Sequence, residues 1–274
     1  MSTLYVSDLD GTLLNRSDRI NERSLAIING LVEEGMFFTY ATARSLTSAR
    51  VVTEGLSVRN PVIVYNGAFI LEPETGHVVS SEGFTEKERA FIQEKLTAGG
   101  ISPFVYSFIN GEEKVSYDGL RLNEGKERYL SLRKGDWRFR RLDGGNGLYD
   151  GESFYYTCIG GKEALEDAYR LFEADGRFTC TFQQELYRPE WWFEIMPRKA
   201  TKYNGILKLK DLLGCDRIVS FGDAVNDIPM FRISDECYAV ANAVPELKAV
   251  ATGIIGDNES DSVALWLREH VCRE

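Results

Sequence analysis

Two carboxylates stand two residues apart at the end of a short apolar run, in Val6-Ser7-Asp8-Leu9-Asp10-Gly11-Thr12-Leu13-Leu14. Leu4, Tyr5 and Val6 read as a short buried strand. In an open α/β sheet the C-terminal ends of strands face the crevice that binds ligands. At an effective dielectric of about 20, two unit charges ~4 Å apart repel by roughly 4 kcal/mol. A cation between the carboxylates, a proton on one, or water around both relieves that repulsion. Asp and Gly are also ordinary turn residues. The pair therefore means chemistry only if the rest of the chain supplies partners.

Partners are present at other strand ends. The apolar run 36–40 ends in Ala41-Thr42-Ala43-Arg44, and the run 61–65 ends in Asn66-Gly67-Ala68. The run 217–221 ends in Gly222-Asp223-Ala224-Val225-Asn226-Asp227, and Lys202 opens the helix before it. On one sheet these ends share a rim holding Asp8, Asp10, Asp223, Asp227, the Thr42 hydroxyl, the Asn226 amide and the Lys202 ammonium. Oxygen donors with no His or Cys among them suit Mg²⁺. A divalent ion and one lysine do not offset all the carboxylates, so one is able to carry a proton. Arg44 and Asn66 follow core strands and can reach a substrate there; Arg44 can equally pair with a neighbouring acid. Lys199 is the rival to Lys202. Lys202 is preferred because it leads directly into the apolar helix of Ile206, Leu207 and Leu209.

The elements that must position these residues follow from periodicity. Asn21 caps a helix whose apolar positions Leu25, Ile27, Ile28, Leu31 and Val32 recur at helical spacing until Gly35. Ser45 caps a second helix running to about Gly55. Strand, helix, strand, helix, strand is the grammar of a parallel sheet. A hairpin over 69–79 follows, and then the pattern changes. Helices at 85–98 and 162–173 alternate with strands at 103–109, 114–117, 153–159, 177–183 and 191–195, which reads as an α+β layer. Helix 203–213, strand 217–221, a short helix, strand 237–240 and helices at 245–251 and 262–271 resume the first pattern. The expected organisation is a core at 1–80 and 198–274 with an inserted domain at 81–197. An insertion returning to one sheet tends to form a lid over its crevice.

Taken together the motifs resemble those of the haloacid dehalogenase superfamily, in its phosphatase branch and Cof-type subfamily with a large α/β cap. The matching residues are Asp8-Leu9-Asp10-Gly11-Thr12, Ala41-Thr42-Ala43-Arg44, Lys202, Gly222-Asp223-Ala224-Val225-Asn226-Asp227 and Asn66-Gly67-Ala68. The resemblance spans the core in the right order and implies a Rossmann-like α/β core with an inserted α+β cap. It implies that Asp8 is the nucleophile that becomes an aspartyl phosphate. Asp10 is then the acid for the leaving oxygen and the base for water, its carbonyl touching Mg²⁺. Thr42 and Lys202 hold phosphoryl oxygens, Asp223 is a metal ligand, and Asn226 and Asp227 orient phosphate or metal-bound water. Gly11 and Thr12 shape the turn that brings backbone N–H groups to the phosphate. Ala43 departs from the glycine usual in the second motif; its methyl alters substrate approach without abolishing phosphate binding.

The whole chain sets bounds. It has 274 residues, 43 % hydrophobic and 27 % charged, with a net charge of −10. Nothing basic dominates, which argues against nucleic-acid or anionic-membrane partners. No stretch approaches the length of a membrane span, and no basic-then-apolar leader precedes the first strand. Cys158, Cys180, Cys215, Cys237 and Cys272 form no Cys-x-x-Cys pair, and His77 and His270 are the only histidines. A zinc site is thus disfavoured and a reduced, cytoplasmic setting expected. Lys126, Arg128, Arg133, Lys134, Arg138, Arg140 and Arg141 form a basic segment, read as a solvated face or subunit contact before a second anion site. Trp191 and Trp192 read as cap core before a substrate-stacking surface. The expected function is a Mg²⁺-dependent phosphatase for small phosphorylated metabolites such as sugar phosphates, as a monomer or weak homo-oligomer. The rivals are a phosphomutase on the same scaffold and a non-catalytic phosphometabolite sensor.

Overall fold

The computed structural model describes residues 2–185 and 188–271, so Cys272 lies outside it. Two compact units are present, one formed by the chain up to Ser81 together with the chain from Ala200, the other by Glu82–Lys199.

The first unit begins with β1 (Thr3–Ser7), α1 (Glu22–Glu33), β2 (Phe37–Tyr40) and α2 (Leu46–Val52), then β3 (Val62–Val64), β4 (Phe69–Leu71) and β5 (Val78–Ser81). The second unit holds α3 (Glu86–Ala98), β6 (Phe104–Ile109), β7 (Glu112–Asp118), α4 (Glu124–Ser131), β8 (Phe139–Leu142), β9 (Glu152–Gly160), α5 (Lys162–Ala174), β10 (Phe178–Gln184) and β11 (Trp191–Pro197). The first unit resumes with α6 (Lys202–Leu213), β12 (Arg217–Gly222), α7 (Ile228–Phe231), β13 (Glu236–Ala239), α8 (Pro245–Lys248), β14 (Gly253–Ile254) and α9 (Ser262–His270).

The main sheet of the first unit runs β14-β13-β12-β1-β2, with every pair parallel. β1 is an interior strand, flanked by β12 and β2, with Leu4, Val6 and Ser7 buried, which is why it reads as a short apolar run. Leu4, Val6, Phe38 and Phe221 have no exposed surface. The chain leaves β1 toward β2 on one side and returns to β12 on the other. The strand order therefore reverses at β1, and the crevice at such a switch point lies beyond the carboxyl ends.

The run 61–65, expected to continue this sheet, does so only through one parallel bridge, Ala41 to Ile63. β3 instead pairs antiparallel with β4, and β4 with β5. The reason is local: Tyr65 and Asn66 take positive φ values of 50° and 54° and fold the chain straight back.

The second unit is a six-stranded sheet in the order β10-β11-β9-β6-β7-β8. Only β7 and β8 pair in parallel. Its α3 begins with a capping box between Thr85 and Glu88, which satisfies two of the orphan donors at a helix start. Ile92, Leu96, Leu165 and Phe172 from α3 and α5 pack with Val105, Tyr156, Phe178 and Phe193 of the sheet into one apolar core. Trp191 packs tilted against Phe182, and Trp192 meets Tyr129 edge-on.

The basic segment is largely neutralised inside this unit. Buried Lys126 donates to the carbonyls of Ser102 at 2.6 Å and Arg121 at 2.9 Å. Arg138 pairs with Glu113 and Asp136, Arg128 with Glu190, Arg140 with Asp150 and Arg141 with Asp143. Among the described residues no helix is long and apolar enough to cross a membrane.

Candidate active site

Asp8 follows the last residue of β1, and its backbone N–H donates to the Phe221 carbonyl at 2.9 Å, continuing the ladder with β12. Its side chain is held at the sheet's carboxyl edge, 5 % exposed. Thr201 caps α6, its hydroxyl accepting from the Asn204 N–H at 3.1 Å. Lys202, the first residue of that helix, is 2 % exposed. Its ammonium donates to Asp8 Oδ1 at 2.6 Å and to Asp227 Oδ1 at 2.7 Å. Lys199 is exposed and belongs to the other unit.

The loop after β12 is braced by Asp227, which is fully buried. Its Oδ2 accepts the backbone N–H groups of Asp223 at 3.0 Å and Ala224 at 3.1 Å. Asp227 thus ties the loop to Lys202, while Asp223 stays directed at the turn after β1. There the Thr12 hydroxyl donates to Asp223 Oδ1 at 3.1 Å. Gly11, at φ +74°, lies flat against the same carboxylate; a Cβ there would stand 2.3 Å from Asp223 Oδ2. The turn therefore requires glycine for both its conformation and its close approach.

Asp8, Asp223 and Asp227 offer oxygens that all lie within 4.8 Å of one another. Burial raises the Asp8 carboxyl well above its ordinary range; Lys202 opposes that, and Asp227 and Asp223 add to it. Burial and Asp227 push Asp223 up to about 6. For Lys202 burial works against the charge, but Asp227 and Asp8 outweigh it and hold the ammonium protonated. Three crowded carboxylates facing one lysine have an excess of negative charge. An all-oxygen donor set with that excess fits a hard divalent cation such as Mg²⁺.

Other candidates lie around this cluster. Thr42 is fully buried, and its hydroxyl accepts the Arg44 N–H at 3.1 Å. Its carbonyl accepts the Asn66 N–H at 2.9 Å, which joins the second motif to the Asn66-Gly67 turn. Asn66 is 9 % exposed. Ala43 and Asn226 are exposed. Of the two roles open to Arg44, the structure displays the acid pairing. Its guanidinium grips Asp10 with Nε at 2.9 Å from Oδ2 and Nη2 at 2.5 Å from Oδ1, and reaches Asp18 at 3.4 Å. Asp10 therefore points to Arg44, half exposed, and not to Lys202.

Residues that the motifs do not contain also hold the site. Asn242, in the loop after β13, donates from Nδ2 to the Gly11 carbonyl at 2.7 Å. Asn258, after β14, donates to the Leu14 carbonyl at 2.8 Å. Both follow strands of the parallel sheet at its carboxyl edge, and that position was the available signal.

Comparisons with known proteins bear on the family and the fold. The family described as haloacid dehalogenase-like hydrolase matches residues 5–267. A Bacillus subtilis (strain 168) protein named 5-amino-6-(5-phospho-D-ribitylamino)uracil phosphatase YitU is 25 % identical over 275 residues, covering 97 % of each chain. The crystal structure of TM0651 from Thermotoga maritima superposes with a TM-score of 0.79 at 22 % identity, covering 98 % of this chain and 97 % of that one. The subclass IIB sugar phosphatase BT4131 gives a TM-score of 0.72 at 18 % identity, covering 98 % of both chains. At those identities the structural matches speak for the fold.

Proposed function

The chain belongs to the haloacid dehalogenase-like hydrolases, and from that premise we propose that it is a Mg²⁺-dependent phosphatase working through a phosphoryl group carried on Asp8. The observation that carries this reading is the Lys202 ammonium bridging Asp8 and Asp227 beside Asp223. Phosphate-monoester hydrolysis is among the slowest uncatalysed reactions, with accelerations up to ~10²¹. Its transition state spreads negative charge over the equatorial oxygens, so positioning and fixed positive charge supply most of the catalysis.

The residues divide the work. An Asp8 carboxylate oxygen bonds to phosphorus as the ester oxygen leaves, and Asp10 gives that oxygen a proton. Water then attacks the same phosphorus, Asp10 takes its proton, and Asp8 is released with inorganic phosphate. One position near Asp10 serves the leaving alcohol and then the water, so one carboxyl suffices for both transfers. Lys202 keeps Asp8 in place and faces the phosphoryl oxygens, joined by the Thr42 hydroxyl and by N–H groups of the turn shaped by Gly11 and Thr12. Ala43, Arg44, Asn66 and Asn226 are further substrate contacts in this reading, with Arg44 also placing Asp10. Asp8, the Asp10 carbonyl, Asp223 and Asp227 would hold Mg²⁺, which when bound neutralises phosphoryl charge.

The substrate class in this reading is a small phosphorylated metabolite, a primary phosphate ester on a sugar or polyol. A relative named for a phosphoribityl compound and a fold neighbour named a sugar phosphatase support it. The free thiols of Cys158, Cys180, Cys215 and Cys237 suit a reducing cytoplasm.

The test is phosphate release from single phosphorylated metabolites with Mg²⁺ and no bisphosphate activator. Wild-type protein is expected to release phosphate, and Asp8→Asn to lose at least about a thousandfold in kcat while keeping its fold. Undiminished turnover in Asp8→Asn excludes the nucleophile role. Transfer to a second substrate site without phosphate release identifies a phosphomutase instead.

A further inference from the structure

We propose that Asn242 is a positioning residue for the phosphate-transfer turn and that Asn258 orients it through its backbone N–H while its side chain ties the far end of the turn; this rests on the phosphatase reading above. The turn between Asp8 and Leu14 carries Asp10, yet its hinge is Gly11 at φ +74°. Glycine visits positive and negative φ about equally, so this conformation is not enforced by the chain itself. One side of the turn is held by Asp223, through the Thr12 hydroxyl at 3.1 Å. The other side is held by Asn242, whose Nδ2 donates to the Gly11 carbonyl at 2.7 Å.

The Asn242 amide is itself oriented. Its Oδ1 accepts the Asn258 backbone N–H at 3.1 Å, which leaves the amino end facing Gly11. The Asn258 side chain then donates to the Leu14 carbonyl at 2.8 Å, returning to the far end of the same turn. The Arg16 N–H to Glu259 Oε1 contact at 2.6 Å joins the same two loops one step further out. The result is a closed circuit of hydrogen bonds through Gly11, Asn242, Asn258 and Leu14. Because the peptide group is planar, fixing the Gly11 carbonyl also fixes the direction of the Thr12 N–H. The residue before Gly11 is Asp10, so the same contact sets where the proposed acid–base carboxyl starts from. Asn242 is exposed, which makes its role in the hydrophobic core nil and its replacement compatible with folding.

The experiment compares Asn242→Ala, Asn242→Asp, Asn258→Ala and the double alanine variant with wild type, using p-nitrophenyl phosphate and Mg²⁺. Asn242→Ala is expected to lower kcat about tenfold with KM within about twofold, the pattern of a lost transition-state alignment. Asn242→Asp is expected to lose at least as much, since a carboxylate still accepts from Asn258 but cannot donate to Gly11 and repels its carbonyl. Asn258→Ala keeps the backbone N–H to Asn242 and loses only the Leu14 contact, so it is expected to lose about threefold, and the double variant about the product of the two losses, because the two side chains hold different carbonyls of the turn. Melting temperatures stay at the wild-type value. A second readout does not depend on turnover: in Asn242→Ala the amide resonances of Gly11 and Thr12 shift or broaden while those of β1 do not. Full kcat in Asn242→Ala, wild-type activity in Asn242→Asp, a double variant no worse than Asn242→Ala, a parallel fall in melting temperature, or unchanged Gly11 and Thr12 resonances would each overturn the proposal. Wild-type protein that releases no phosphate sinks the phosphatase reading instead, and the resonances still decide the positioning role.

Discussion

Lys202 decides the electrostatics of the site. It is one buried cation facing two buried carboxylates, Asp8 and Asp227, with contacts of 2.6 and 2.7 Å. Removing one partner of such a set leaves uncompensated charge in the interior, which costs about 3–5 kcal/mol. Lys202→Met is therefore expected to lower stability by that amount in chemical denaturation. Adding Asp227→Asn should recover part of the loss, because it removes one of the stranded charges; a double variant weaker than the single would contradict the coupling. Asp223 gives the pH dependence. Burial and Asp227 raise it from 3.8 to about 6, so the folded protein holds a proton through that window that the unfolded chain has given up. Stability conferred by that proton is full below about pH 4 and is lost as pH rises toward about 6. In EDTA the wild-type melting temperature should carry this decline, and Asp223→Asn should make it shallower, leaving the share carried by Asp8. Mg²⁺ competes with the same proton, so its midpoint for raising the melting temperature should worsen below about pH 6.

The elements place these side chains through a few tight contacts between loops. Gly67, at φ +100°, sits against the start of α6, where a Cβ would lie 2.1 Å from the Thr201 carbonyl. Gly67→Ala must push the first turn of α6 away or unwind the Asn66 turn, and Lys202 moves with that helix. Strain plus overpacking makes a loss of about 3 kcal/mol the expected outcome in urea unfolding, with kcat falling at temperatures where the variant is still folded. Equal stability and activity would mean the helix start has room to yield. This contact also marks the limit of what the sequence made legible. Asp8, Lys202, Asp223 and Asp227 stand at strand and helix ends, where periodicity locates residues well, and the structure brings them together. The Asn242 and Asn258 contacts are made from loops 231 and 244 residues beyond the turn carbonyls they hold, and no local pattern encodes such a partner. The place of β3 was legible only in part for a related reason: the Ala41–Ile63 bridge keeps it parallel beside β2, while its antiparallel partner β4 follows from the positive φ of Tyr65 and Asn66. The basic segment misled because charge counts do not show partners; Arg138 is 5 % exposed and meets two acids.

For the molecule as a whole, the two units differ in how their chains are wired. We read 81–197 as an inserted domain with its own core, since its sheet, helices and apolar cluster are made from one continuous stretch. The first unit is discontinuous: β1 lies between β2 and β12, and β12 begins more than 200 residues after β1. Closing so long a loop costs only slowly growing entropy, but the N-terminal segment by itself lacks three of the five strands of the main sheet. Without β12 the buried edge of β1 keeps unpaired N–H and C=O groups, and Leu4 and Val6 lose the strand beside them. Two peptides separate these cases. Residues 82–199 expressed alone should show native-like far-ultraviolet dichroism and a single cooperative melt. Residues 1–81 alone should show neither, and should gain structure when the segment from residue 200 onward is added. A non-cooperative 82–199 fragment would show that its core depends on the rest of the chain, and the domain reading would have to be withdrawn.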